Sequence, residues 1–76
     1  MIREHDRIVL TVDLRDEGLE SGDVGTVVHV HAGGEAYEVE FVTLDGHTEA
    51  IVTLETSDVR PVRKHEITHA RELAIA

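Results

Sequence analysis

The sharpest chemical motif in the sequence is His65-Glu66-Ile67-Thr68-His69, which matches the HExxH pattern of zinc peptidases. On a helix, this spacing places two imidazoles one turn apart, and the glutamate between them is available as a general base. A working site also needs a third protein ligand and a closed cleft. Because a chain of 76 residues has little volume for such a cleft, we interpret the motif as a chance match with adventitious affinity for a metal ion at most.

A second candidate metal site comes from His29 and His31, which alternate along a predicted strand. Both imidazoles would lie on one face, and the strand pairing described below places Glu38 opposite His29. Imidazole and carboxylate groups are common ligands of transition metals. Metal binding by His29, His31 and Glu38 is therefore an alternative function, and the competing interpretation is a solvated strand face on which His29 pairs with Glu38.

No arrangement of residues predicts covalent or acid–base catalysis. The sequence contains no cysteine, and its serines, Ser21 and Ser57, lie outside any nucleophile motif. Glu38, Glu40 and Glu49 are predicted to face solvent, where a carboxylate stays ionised and is a poor general acid near neutral pH. We therefore predict a non-enzymatic protein with no catalytic residues and no cofactor.

Charge divides the chain into an acidic body and a basic tail. The chain carries 7 Lys and Arg against 16 Asp and Glu, a net charge of -9. Residues 1–59 hold 14 acidic and 3 basic side chains, whereas residues 60–76 hold 2 acidic and 4 basic ones. An acidic surface repels phosphate backbones, so we predict a basic protein partner and no nucleic acid. The competing explanation is that like charge keeps a small protein soluble.

The composition predicts one small cytoplasmic domain. A hydrophobic content of 41% argues against a disordered chain, and the lack of cysteine fits a reducing compartment. No apolar run approaches the roughly 20 residues of a membrane span, and the charged residues after Met1 do not resemble a signal peptide. We therefore expect no membrane association.

Alternation of apolar and polar residues predicts five short β-strands. Two hairpins join the middle strands, with a four-residue loop over 32–35 and a two-residue type I′ turn at Asp45-Gly46. These registers keep apolar residues on one face and pair Val28 with Val39. Proline in the last strand indicates a sheet edge. The predicted strands are residues 6–13, 23–31, 36–44, 47–54 and 59–62, with a long loop over 14–22 and a short turn, one turn of 3₁₀ helix, over 55–58.

This series of elements predicts an all-β fold, a five-stranded SH3-like barrel over residues 4–62, followed by a helical tail over 63–76. The aromatic residues Tyr37 and Phe41 fall on the inner face. Because a proline-rich peptide groove and a base-stacking platform both need exposed aromatic rings, we expect neither.

The segment from Gly18 to Val28 has the pattern GLxxGxxGTVV, and Tyr37-Glu38-Val39-Glu40-Phe41 follows it. This combination resembles a family of short bacterial proteins, domain of unknown function 4926, over about residues 4 to 62. The resemblance implies a single small barrel without an assigned activity, encoded beside another small protein. With the acidic body, it leads to a non-enzymatic interaction module, the antitoxin-like or accessory member of a bacterial gene pair.

The segment from Ser21 to Phe41 also resembles a KOW element of ribosomal and transcription factors. RNA binding is therefore a second alternative function. The segment lacks the basic residues that contact RNA, so this alternative ranks below protein binding.

The predicted contact surface is an apolar stripe among carboxylates on the outer face of the sheet. The registers align Val27 with Glu40 and Ile51 and place Val42 opposite Glu49, and Glu38 lies beside them. Apolar patches bordered by charge are typical of partner-binding faces, whereas isolated exposed apolar residues are ordinary.

The tail is predicted to form an amphipathic helix from about Glu66 to Ile75. Helices this short are stable only when their apolar face is packed. We therefore expect the tail, through Ile67 and Leu73, to pack on the barrel of its own chain or of a second copy, which would make a homodimer. Its basic residues would relieve the repulsion of the acidic body, and the competing interpretation is a frayed terminus.

Overall fold

A computed structural model describes residues 1–73 and shows an all-β chain with two short 3₁₀ turns, at Arg15–Glu17 and Thr56–Asp58. The strands form one antiparallel sheet in the order β4-β3-β2-β1-β5. The strand bounds are β1 (Arg7–Leu10), β2 (Val24–His31), β3 (Ala36–Val42), β4 (Thr48–Glu55) and β5 (Val59–Pro61).

The prediction of five strands in an all-β fold is confirmed, but the sheet is open rather than closed. Over residues 1–73, no ladder pairs β4 with β5. Closure needs hydrogen bonds between the two edge strands, and β5 has only three residues, including Pro61, which lacks a backbone N–H. Its position at an edge is as predicted.

The inner face of the sheet carries the hydrophobic core. Tyr37 and Phe41 are buried there, as predicted, and the pairing of Tyr37 with Leu54 across β3 and β4 is also confirmed. Alternate residues of a strand share a face, so each of these strands contributes to one layer. The core cluster consists of Ile8, Leu10, Leu19, Val27, Tyr37, Val39, Phe41, Leu54 and Val59.

A β-bulge in β2 reverses the predicted facing of Val27. The register near the β2–β3 hairpin matches the prediction, with His29 opposite Glu38, but it shifts between Val27 and His29. Beyond the shift, Val27 lies opposite Val39 and is fully buried, whereas Val28 is 41% exposed. The prediction of Val27 as an exposed contact residue is therefore wrong, because a bulge exchanges the two faces of a strand.

The β3–β4 hairpin has a longer loop than the predicted type I′ turn. The N–H of Thr43 donates to the carbonyl of His47 over 2.8 Å, and the N–H of Gly46 donates to the carbonyl of Thr43 over 2.9 Å. A type I′ turn needs positive φ at both central residues. In this loop only Gly46 has positive φ, 94°, so the type I′ prediction is wrong.

The long β1–β2 loop folds back on itself and contributes to the core. Leu14 forms an isolated antiparallel bridge with Leu19 around the first 3₁₀ turn. Gly18 ends that turn in the left-handed conformation, with φ of 72°. Leu19 is buried in the core cluster, a role that the polar composition of the loop did not indicate.

The C-terminal tail is not helical over residues 66–73, so the helix prediction is wrong there; Ala74 and Ile75 lie outside the described residues. His65 has a φ of 66°, a left-handed conformation that an α-helix excludes. Ile67 was expected to pack on the sheet, but it is 91% exposed. Side-chain contacts of Glu66 and Arg71, described below, replace the hydrogen bonds of a helix.

Candidate interaction surface

The outer face of β3 and β4 combines carboxylates with exposed apolar side chains. Glu40 lies opposite Ile51, and Glu38 lies opposite Thr53. Ile51 is 59% exposed, and Val42 at the end of β3 is 44% exposed. The bulge in β2 adds Val28 beside them. We call this surface the acidic face and define it by Val28, Glu38, Glu40, Val42 and Ile51.

Hydroxyl groups on β4 hold both carboxylates of the acidic face. Thr53 Oγ1 donates to Glu38 Oε2 over 2.5 Å, and Thr48 Oγ1 donates to Glu40 Oε2 over 2.6 Å. The hydrogen bond from Thr53, followed by the one from His31, lowers the pKa of Glu38 below its ordinary value. Glu38 therefore stays ionised near neutral pH and in a fixed orientation.

The two strand histidines contact different carboxylates. His31 Nε2 lies 2.7 Å from Glu38 Oε2, and His29 Nδ1 lies 3.5 Å from Glu4 Oε2. The backbone pairing of His29 with Glu38 is as predicted, but the side-chain contact to Glu38 belongs to His31. In the described part of the chain, no group of three or more His, Cys, Asp or Glu residues is arranged to hold a metal ion. Metal binding by His29, His31 and Glu38 stays a prediction.

The HExxH motif lies in irregular chain, where its histidines do not share a helical face. The Glu66 carboxylate accepts two hydrogen bonds from the Arg60 guanidinium, over 3.0 and 2.6 Å, and one from the backbone N–H of Arg63. The Arg60 hydrogen bonds, with the Arg63 N–H, lower the pKa of Glu66 from 4.5 to about 2. Glu66 is therefore an anchoring carboxylate and a poor proton acceptor.

Charge is distributed unevenly across the sheet. Residues 16–59, which include β2, β3 and β4, contain 11 acidic residues and no Lys or Arg. The charged residues of β1 and β5 are Arg7 and Arg60, and these two strands lie toward the edge of the sheet opposite β4. The acidic face thus lies at the negative edge of a polarised sheet, which disfavours contact with a nucleic-acid backbone.

The tail is attached to the body through Arg71. Its guanidinium contacts Asp23 over 2.9 and 2.5 Å, Glu20 over 2.9 Å and the carbonyl of Gly18 over 3.2 Å. Partial burial, the largest single effect, acts to raise the pKa of Asp23, but the Arg71 hydrogen bond, the Glu20 backbone N–H and the charge of Arg71 together outweigh it, so the pKa is lowered. The predicted docking of basic tail residues on the acidic body is therefore confirmed for Arg71, without a helix.

The structure brings together only part of the predicted contact set. Glu38, Glu40 and Ile51 lie on the acidic face, whereas Val27 lies in the core. Ile67 and the half-buried Leu73 lie in the tail. The sequence analysis missed Val28, Thr48 and Thr53. Glu38 opposite Thr53 follows from the predicted register, whereas the contact of Thr48 with Glu40 depends on the register shift between Phe41 and Val42.

These features define a small acidic all-β domain built on an open five-stranded antiparallel sheet. The chain belongs to the family described as Domain of unknown function (DUF4926), whose family model matches residues 4–61. The resemblance recognised in the sequence is thus confirmed, and residues 62–76 lie outside the match. No curated protein and no solved structure matches the chain. Among residues 1–73, no helix is both long and apolar enough to cross a membrane.

Proposed function

We propose that this protein is a non-enzymatic interaction module that binds a basic protein partner through the acidic face. The observation that carries the proposal is Ile51, 59% exposed and directly opposite Glu40. An apolar side chain between oriented carboxylates suits a contact whose centre excludes water and whose rim pairs with cations.

The charge distribution supports a basic partner in particular. With no Lys or Arg in residues 16–59, the acidic face attracts cationic surfaces and repels anionic ones. Complementary potentials increase association rates and select against wrong partners. The hydrogen bonds that Thr48 and Thr53 donate to Glu40 and Glu38 reduce the entropy lost when these carboxylates are ordered by a partner.

We infer further that the fold is an SH3-like barrel left open between β4 and β5, since the strand order and the 3₁₀ turn before β5 fit that architecture. The family resemblance extends the proposal to a role as the accessory or antitoxin-like member of a bacterial gene pair, acting in the cytoplasm. In such a role, the partner would be a small protein made together with this one.

The proposal is tested by quantitative pull-down with tagged protein from the native cell. Wild type should capture one basic partner in equimolar amount, and Ile51→Lys and Glu40→Lys should each lose at least nine-tenths of it. Leu44→Lys is the matched control, because Leu44 is 79% exposed on the β3–β4 loop, outside the acidic face. Equal capture by all four proteins would contradict the proposal; circular dichroism establishes that each variant is folded.

A further inference from the structure

The two edges of the sheet differ in length and composition. β4 forms one edge with 8 residues and contains neither proline nor lysine. β5 forms the other edge with 3 residues, one of which is Pro61. Proteins protect sheet edges with short strands, proline and lysine. By these criteria β5 is protected and β4 is open to an additional strand.

The backbone of β4 has one hydrogen-bonded neighbour in the described chain. Over residues 1–73, backbone hydrogen bonds join residues 48–54 to β3 and to no other element. In an antiparallel pair, alternate residues point their N–H and C=O groups away from the neighbouring strand. Glu49, Ile51 and Thr53 are exposed, and the backbone groups of residues 48–54 that point away from β3 have no backbone partner within residues 1–73.

The charge around β4 selects what can pair with it. The glutamates of this edge are Glu38, Glu40, Glu49 and Glu55, and β3 and β4 carry no Lys or Arg. An added strand whose alternate side chains are basic would place its cations over these carboxylates, since alternate residues share a face.

A second copy of this chain is a poor occupant of the same edge. Pairing β4 with the β4 of another copy would join two chains of net charge -9 and bring Glu49 and Glu55 of both together. Pairing β4 with the β5 of another copy would use a strand of 3 residues that includes Pro61. The first arrangement lacks charge complementarity, and the second lacks backbone hydrogen bonds.

We propose that the partner binds by strand addition: an extended segment with alternating basic residues pairs with β4 as a further strand of the sheet. This inference rests on the proposed function and specifies how the partner is recognised. Strand addition supplies affinity through main-chain hydrogen bonds and specificity through alternate side chains. Ile51 lies on the same face as Glu38 and Glu40, so it contacts the aliphatic stems of the basic side chains, while their cationic ends contact the two carboxylates.

The probe is a synthetic peptide of alternating lysine and valine, eight residues long and blocked at both ends, titrated into the full-length protein by calorimetry. The matched control has the same sequence with every backbone nitrogen methylated, which keeps the charge and removes all backbone donors. We expect the control to bind at least 10-fold more weakly. Amide hydrogen exchange should slow in β4 on binding of the unmethylated peptide and remain unchanged in β5.

The outcomes separate this inference from the proposed function. Equal affinity of the two peptides would overturn strand addition and leave an acidic face that binds basic partners. Binding of neither peptide, at low salt where charge attraction is strongest, would count against both. A concentration-dependent dimer by sedimentation, with protection of β4 amides in the absence of peptide, would assign the edge to a second copy and overturn the basic segment as its occupant.

Discussion

Glu66 shows how a residue with catalytic spacing can have a structural role. Its carboxylate is occupied by Arg60 and by the Arg63 backbone N–H, so the glutamate of the HExxH motif holds the start of the tail against β5. The same contacts stabilise its ionised form. The HExxH spacing has catalytic meaning only on a helix, where the two histidines share a face. His65 has a left-handed conformation that is incompatible with such a helix.

The pH dependence of stability tests this role of Glu66. Because its pKa is lowered from 4.5 to about 2 in the folded chain, its contribution to stability is present above the unfolded pKa and is lost as pH falls through the folded one. We expect Glu66→Gln to melt below wild type at neutral pH, with the difference shrinking below pH 4.5 and vanishing near pH 2.

The control is Glu72→Gln, since Glu72 is exposed and makes no hydrogen bond within the described residues. Thermal melts of the three proteins between neutral and acidic pH provide the measurement. A melting difference for Glu66→Gln that stays constant across this range would refute the ion pair.

At the scale of elements, alternation was sufficient for the β2–β3 hairpin and for most of the β3–β4 pairing, and insufficient across the register shifts in β2 and between Phe41 and Val42. Thr26-Val27-Val28 contains two adjacent valines of equal β-propensity, so the sequence does not decide which one faces inward. The decision comes from Gly25, where a Cβ would lie 2.5 Å from Val39 Cγ1 and 2.9 Å from Phe41 Cε1. This close approach fixes Gly25 inward and therefore Val27 as well.

The prediction of a helical tail failed for a different reason. Its apolar spacing fits a helix, but a short helix depends on packing for its stability. Glu66 and Arg71 instead find partners on the body. The charge analysis predicted this attraction correctly, while the periodicity of Ile67 and Leu73 predicted the wrong conformation. The acidic face lies between these cases: Glu38, Glu40 and Ile51 were found, and the residues that depend on the register were not.

The bulge can be tested by exchanging one methyl group for a hydroxyl group at each valine. Val27→Thr buries a hydroxyl in the core, which costs about 1–3 kcal/mol, whereas Val28→Thr on the exposed face should stay within about 0.5 kcal/mol of wild type. Urea unfolding of both variants measures the difference. Equal destabilisation, or a larger effect at Val28, would mean that the register shift between Val27 and His29 is wrong.

At the scale of the whole molecule, the tail balances part of the charge of the body. Arg71 reaches Asp23 and Glu20 across most of the sequence. Both acidic partners lie in the same chain as Arg71. The homodimer through Ile67 and Leu73 stays a prediction, and removal of the tail distinguishes the two arrangements.

Truncation after Val62 should lower the melting temperature, because it removes the Arg71 contacts to Asp23 and the Glu66 contact to Arg60. Arg71→Gln in the full-length chain is the matched variant and should reproduce much of the decrease, since Asp23 is then left half-buried without its cation. Added salt should narrow the gap between wild type and both variants, because it screens the attraction that each has lost.

Sedimentation then decides between chains: a lower apparent mass of the truncated protein, beyond that of the missing residues, indicates a dimer joined by the tail, and an unchanged oligomeric state indicates docking within one chain. If the truncated protein has the same melting temperature as wild type, the Arg71 contacts contribute nothing to the stability of the fold.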